Sequence, residues 1–124
     1  MIVVTGGAGC IGSAVVWALN KRGITDIILV DEASHPEKEK NIASLDYYAL
    51  ENKDVFLSHV INSNMPWSVD AIIHMGGCSS TIERDKSFLT KNNYDYTKLL
   101  ATYALNTDIR FIYASSAATY GSGA

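Results

Sequence analysis

Short apolar runs alternate along this chain with stretches whose apolar positions recur every three or four residues. That alternation predicts a parallel β-sheet wrapped by helices. Ile2 to Thr5 reads as the first strand and about Ile11 to Lys21 as the first helix, with Ile11, Val15, Leu19 and Arg22 at helical spacing. Ile27 to Val30 is the second strand. Asp31 to Lys40 is polar and charged, contains Pro36, and reads as a loop. A short third strand is placed near Ile42 to Leu45, then a helix from roughly Tyr48 to Ile61 and a turn containing Pro66. Val69 to His74 is an apolar strand closed by Gly76-Gly77. A long helix from about Ser87 to Asn106 carries Phe88, Asn92, Tyr96, Leu99 and Tyr103 on one stripe, and Arg110 to Ala114 is the last strand. Crossovers between such parallel strands are right-handed.

The junction of the first strand and first helix carries the sharpest chemical signal. Thr5-Gly6-Gly7-Ala8-Gly9-Cys10-Ile11-Gly12 leaves little to hold except a pyrophosphate. Gly7, Gly9 and Gly12 fit G-x-G-x-x-G, which serves a tight turn, close approach of phosphate and close helix packing. Amide N–H groups at the helix start then face the diphosphate, and the helix dipole favours its charge. The second strand ends in Asp31, 19 residues beyond Gly12, where an acid binds the adenosine ribose hydroxyls. The expected fold is therefore α/β, a Rossmann-type doubly wound parallel sheet. Residues 1–124 are expected to form an NAD(P)-binding Rossmann domain, as an amino-terminal portion that ends after about the fifth strand.

Size and charge narrow the classes of function. With 124 residues there is enough chain for one domain with a real core. A net charge of −3 with dispersed Lys and Arg gives no footprint for nucleic acid. No apolar run approaches the roughly 20 residues that span a membrane. Met1 leads straight into the first strand without a signal peptide, so the cytoplasm is the expected compartment. Cys10 and Cys78 sit in glycine loops after different strands, and with His35, His59 and His74 they show no metal-ligand spacing.

Further loops leave the carboxyl ends of strands, where ligands of such sheets sit. His74-Met75-Gly76-Gly77-Cys78-Ser79-Ser80-Thr81 combines glycines that admit a ligand with three hydroxyl groups, although a helix-capping loop has the same composition. In Tyr113-Ala114-Ser115-Ser116-Ala117-Ala118-Thr119-Tyr120-Gly121 a serine suits an oxygen whose charge changes during hydride transfer, and an ordinary turn is the alternative. Asn92 lies mid-helix on the apolar stripe and needs partners for its amide. His74 reads as a packed strand-end histidine rather than a base, and Trp17 and Trp67 as packing residues. Glu37 to Lys40 is a solvated charged face from which Lys38 can reach a phosphate. Glu32 beside Asp31 repels a 2′-phosphate and on charge alone favours NAD over NADP.

Taken together, T-G-G-A-G-x-I-G, H-x-G-G, N-N-Y and Y-A-S-S-A-A-T-Y-G resemble the extended short-chain dehydrogenase/reductase family. Gly77-Cys78-Ser79-Ser80-Thr81, Asn92-Asn93-Tyr94 and Tyr113 to Gly121 narrow the resemblance to its epimerases of ADP-linked heptose, which serve lipopolysaccharide core synthesis. The resemblance covers essentially the whole chain and is weakest from His35 to Val55. It implies that Gly6, Gly7, Gly9, Cys10, Ile11 and Gly12 lie at the cofactor phosphates, and Asp31 and Glu32 at the ribose. Lys38 and Lys53 would lie near the adenosine phosphates. Met75, Gly76, Gly77, Cys78 and Ser79 would line the cofactor, Asn92 would contact it, and Ser116 would be the catalytic serine. It further implies tightly held NADP, with NAD as the alternative, an ADP-heptose substrate, and a homo-oligomer, typically a pentamer. The implied reaction is transient oxidation at C6″, with hydride returned to the opposite face.

The sequence departs from that pattern at several points. Glu32 stands where such epimerases usually have Asn, Cys10 replaces a usual Phe, and Met75 a usual Glu. No Tyr-x-x-x-Lys spacing follows Ser116, so these residues alone are expected to bind cofactor weakly and not to turn over. The competing readings are another nucleotide-sugar epimerase or dehydratase, and a non-catalytic dinucleotide-binding module.

Overall fold

A computed structural model describes residues 1–31, 36–75 and 86–113, with the backbone alone at 10, 36–37 and 86–94. Its elements are β1 (Ile2–Thr5), α1 (Cys10–Lys21), β2 (Ile27–Asp31), α2 (Pro36–Ile42), β3 (Ala49–Asn52), α3 (Lys53–Ile61), β4 (Ala71–His74), α4 (Lys86–Thr107) and β5 (Arg110–Tyr113). The strands form one sheet in the order β3-β2-β1-β4-β5, and every pairing is parallel.

Alternation along the strands builds a core on each face of the sheet, because successive side chains point to opposite sides. Val3, Ile28, Val30 and Ile72 pack with Phe56 and Val60 of α3 and with Tyr96 and Leu100 of α4. On the other face Val4, Ile27 and Leu29 pack with Ala8, Val16 of α1 and Ile42 of α2. All of β2 is buried, which is why Ile27-Ile28-Leu29-Val30 is continuously apolar. At about 25 cal/mol per Å² of apolar surface removed from water, these two faces supply most of the drive to fold.

The structure corrects the expected pattern between residues 31 and 61. The expected loop contains α2: Pro36 supplies a preset φ at its first position, and Lys and Glu are good helix formers. The third strand is not at Ile42 to Leu45 but at Ala49–Asn52, and the following helix starts at Lys53 instead of Tyr48. Asn52 caps it, its Oδ1 accepting from the amides of Asp54 (2.8 Å) and Val55 (3.4 Å). Two stripes also differ. In α1 the fully buried position is Val16, while Ile11 and Trp17 are more than half exposed, Trp17 lying under Lys21 Nζ at 5.1 Å. Among the described side chains of α4 the buried ones are Tyr96, Leu100 and Ala104, with Leu99 turned toward solvent. Trp67 does pack against the α3/α4 core, edge-on to His59.

Candidate functional site

The strand order reverses at β1, so α-helical crossovers diverge on either side of its carboxyl end and open a crevice there. Register aligns the last residues of the strands: Asp31 with Asn52, Thr5 with Val30 and with His74, and His74 with Tyr113. Every strand therefore delivers its following segment to one edge of the sheet.

The glycine turn follows β1. Gly6 has φ of +68°, a left-handed conformation that favours glycine, and its amide donates to Val30 O at 2.7 Å. Gly9 N donates back to Gly6 O at 3.0 Å, closing the turn, and Ser13 N donates to Gly9 O at 2.9 Å to begin α1. The two later glycines do different jobs. A Cβ on Gly12 would lie 2.0 Å from Gly6 O, so Gly12 lets the helix press against the turn. Among the described residues a Cβ on Gly9 would meet only Gly6 O, at 3.4 Å, so none of them fills the space beside it. Gly9 is also the N-cap of α1, and among the described residues no side chain caps that end, which leaves first-turn amides to a ligand. An open cradle at an uncapped helix start fits a diphosphate.

Asp31 closes the site from β2. Its carboxylate is buried; Oδ2 accepts the Ala8 amide at 2.9 Å and Oδ1 receives Lys38 Nζ at 2.6 Å. The acid expected from sequence at a ribose braces the glycine turn. Lys38 comes from α2, as does Asn41, whose Nδ2 donates to Ala8 O at 2.9 Å. Asn41 carried no sequence signal, lying within a charged segment without an apolar stripe.

On the β4 side, the Met75 backbone runs beside the turn: a Cβ on Gly6 would lie 3.4 Å from Met75 C and O. Met75 N–H donates both to Thr5 O and to Thr5 Oγ1, each at 3.1 Å. His74 is buried between the strands and α4, with Nδ1 2.5 Å from Thr5 Oγ1 and Nε2 2.9 Å from Thr97 Oγ1. Its ring stacks with Tyr96, Phe111 and Tyr113. Burial, and secondly the nearby Lys53 charge, lower its pKa to about 4, so the ring is neutral at pH 7. Both nitrogens are at hydrogen-bond distance from threonine hydroxyls, and the ring is buried, as expected of a packed strand-end histidine. Thr97 is a second residue that sequence reasoning missed.

The structure therefore brings Gly6, Gly7, Gly9, Gly12, Asp31, Lys38 and Met75 together around one crevice. Ile11 and the backbone of Cys10 lie at the start of α1. Lys53 opens α3, its Nζ 5.3 Å from the centre of the Tyr96 ring. Asn92 is on α4, its side chain outside the described residues; Glu32, Gly76, Gly77, Cys78, Ser79 and Ser116 lie outside them altogether. Among the described residues no His, Cys, Asp and Glu side chains cluster to hold a metal, and no helix is long and apolar enough to cross a membrane. A groove lined by Thr25, Ile42, Leu45 and Tyr47 is at the amino end of β2 and β3. It lies opposite the crevice.

Sheet order, glycine turn and strand-end acid define a Rossmann-like α/β protein. Comparison with known sequences makes the class specific: the chain belongs to the NAD dependent epimerase/dehydratase family, whose pattern matches residues 2–124. It is 51% identical over 123 residues to the ADP-L-glycero-D-manno-heptose-6-epimerase of Nitratidesulfovibrio vulgaris (strain DP4), covering 99% of this chain and 38% of that protein. It is 48% identical to the enzyme of the same name from Fusobacterium nucleatum subsp. nucleatum, covering 37% of it. The chain thus spans under two-fifths of the length of these relatives. Among solved structures, the Helicobacter pylori ADP-L-glycero-D-manno-heptose-6-epimerase matches with a TM-score of 0.76 over 97% of this chain and 40% of that one. At 24% identity that likeness concerns the fold. A UDP-glucose 4-epimerase matches at a TM-score of 0.67 and 27% identity, over 97% of this chain and 36% of that one.

Proposed function

We propose that these residues are the dinucleotide-binding part of an ADP-heptose 6-epimerase that inverts C6″ of ADP-D-glycero-D-manno-heptose for lipopolysaccharide core synthesis. Identity near one half to two enzymes of that name supports the substrate over other sugar nucleotides. The observation that carries the cofactor half is the open cradle beside Gly9 at the uncapped start of α1. When bound there, the dinucleotide supplies reversible acceptance of hydride, so the reaction inverts a stereocentre without net redox change.

The chain's own groups divide the work. Amides of the first turn of α1 hold the diphosphate, and Asp31 and Glu32 receive the ribose. Lys38 and Lys53 lie toward the adenosine phosphates. Met75, Gly76, Gly77, Cys78, Ser79 and Asn92 line the remaining length, and Ser116 donates a hydrogen bond to the substrate oxygen as its charge changes. We assign NADP in preference to NAD. The ion pair between Lys38 and Asp31 offsets negative charge at the ribose end, which lowers the repulsion a 2′-phosphate would meet.

The test is conversion of ADP-D-glycero-D-manno-heptose to its C6″ epimer by the protein as its gene encodes it, followed by proton NMR. Ser116→Ala is expected to lower turnover by about 10²-fold while leaving bound dinucleotide intact. Loss of the dinucleotide in that variant would make Ser116 a structural residue. Conversion of UDP-glucose in place of the heptose would move the chain to another branch of the family.

A further inference from the structure

The peptide at Ala8 is held from both sides. Its N–H donates to Asp31 Oδ2 at 2.9 Å and its carbonyl accepts from Asn41 Nδ2 at 2.9 Å. Ala8 is buried, so neither group has water as a substitute partner. Asn41 and Lys38 are three apart on α2 and share a helical face, and Lys38 Nζ reaches the same Asp31 carboxylate at 2.6 Å. Ala8 immediately precedes Gly9, whose carbonyl accepts the first helical bond of α1. An orientation fixed at Ala8 is therefore passed directly to the amides that open the helix.

The geometry points to Asn41 as a positioning residue: with Asp31 it clamps the Ala8 peptide, sets the direction of the α1 amides, and couples α2 to the phosphate cradle. The clamp acts on whatever diphosphate occupies the turn. Lys38, on the same helix face, bonds the Asp31 carboxylate and not the Ala8 peptide itself. Loss of Asn41 therefore weakens NAD and NADP alike. The binding half of this inference rests on the dinucleotide reading of the site; the clamp itself does not.

Amide hydrogen exchange without ligand tests the clamp. In Asn41→Ala, and in the near-isosteric Asn41→Asp that places an oxygen against the Ala8 carbonyl, exchange at the Gly9 and Ser13 amides is expected to rise about fivefold. Val4 and Ile73 amides in the sheet should keep their rates. Unchanged Gly9 and Ser13 rates, or an equal rise at Val4 and Ile73, would overturn the clamp. Fluorescence titration with NAD and with NADP tests the coupling: both affinities should fall by the same factor in Asn41→Ala. A loss confined to NADP, or none where exchange has risen, would overturn the coupling. If the unsubstituted protein binds neither dinucleotide, the reading of the site fails, and exchange still decides the clamp.

Discussion

Gly9 and Gly12 belong to one motif but constrain different partners, and substitution separates them. Gly12 is pressed against the turn backbone, which cannot swing aside as a side chain would. Gly12→Ala is expected to destabilise the fold by about 1–3 kcal/mol, seen as an earlier urea midpoint. Gly9 faces space that none of the described residues fills. Gly9→Val should leave the urea midpoint nearly unchanged while abolishing retention of dinucleotide, measured by absorbance at 260 nm after purification. A Gly9→Val protein that still carries dinucleotide would remove the cradle from the site. The glycines and Asp31 were legible in the sequence because their spacing is set by local geometry within one strand–turn–helix–strand unit. Asn41 and Thr97 were not, since each acts by a bond to a residue distant along the chain and leaves no periodic trace.

At the level of elements, recognition succeeded where burial wrote a pattern. Strands β1, β2 and β4 are apolar because they are packed on both faces, and they were placed to within two residues. Helix α2 was missed because, among its described side chains, the one in the hydrophobic core is Ile42 at its end, and the polar Lys38 and Asn41 face the glycine turn. Strand β3 was missed because it is an edge strand with alternate residues exposed, including Leu50. The stronger apolar pair Ile42 and Leu45 instead anchors the end of α2 against the sheet.

The junction of β4 and α4 makes a further prediction. The pKa of His74 falls from 6.5 to about 4 on folding. Between those values the unfolded chain binds a proton that the folded chain refuses. The contribution is therefore complete above pH 6.5 and lost as pH falls toward 4. By pH 4.5 the protein should have lost about 2 kcal/mol from this group. His74→Gln should show a correspondingly smaller difference between urea titrations at pH 7 and pH 4.5.

For the whole molecule, the cradle ties together the carboxyl ends of β1, β2 and β4. Gly6 is bonded to β2 and lies against Met75 of the β4 side, while Ala8 is packed within the α1/α2 cluster. A ligand seated there binds only when the sheet is assembled, so it should stabilise the entire fold. With NADP at 100 times its dissociation constant the gain is about 2.7 kcal/mol, readable as a rise in Tm of several degrees. No rise with either dinucleotide would count against binding at this crevice.

Sheet order also dictates a timetable during synthesis. β1 meets β2 about 25 residues later, but its other neighbour, β4, does not exist until Ala71 to His74 have been translated. At about 5–20 residues per second, the ribosome leaves that flank of the first strand without its permanent partner for several seconds. A nascent chain thus carries a bare, apolar ribbon at β1 until β4 emerges. Stalling before that point should send it to chaperones, whereas stalling after it should not.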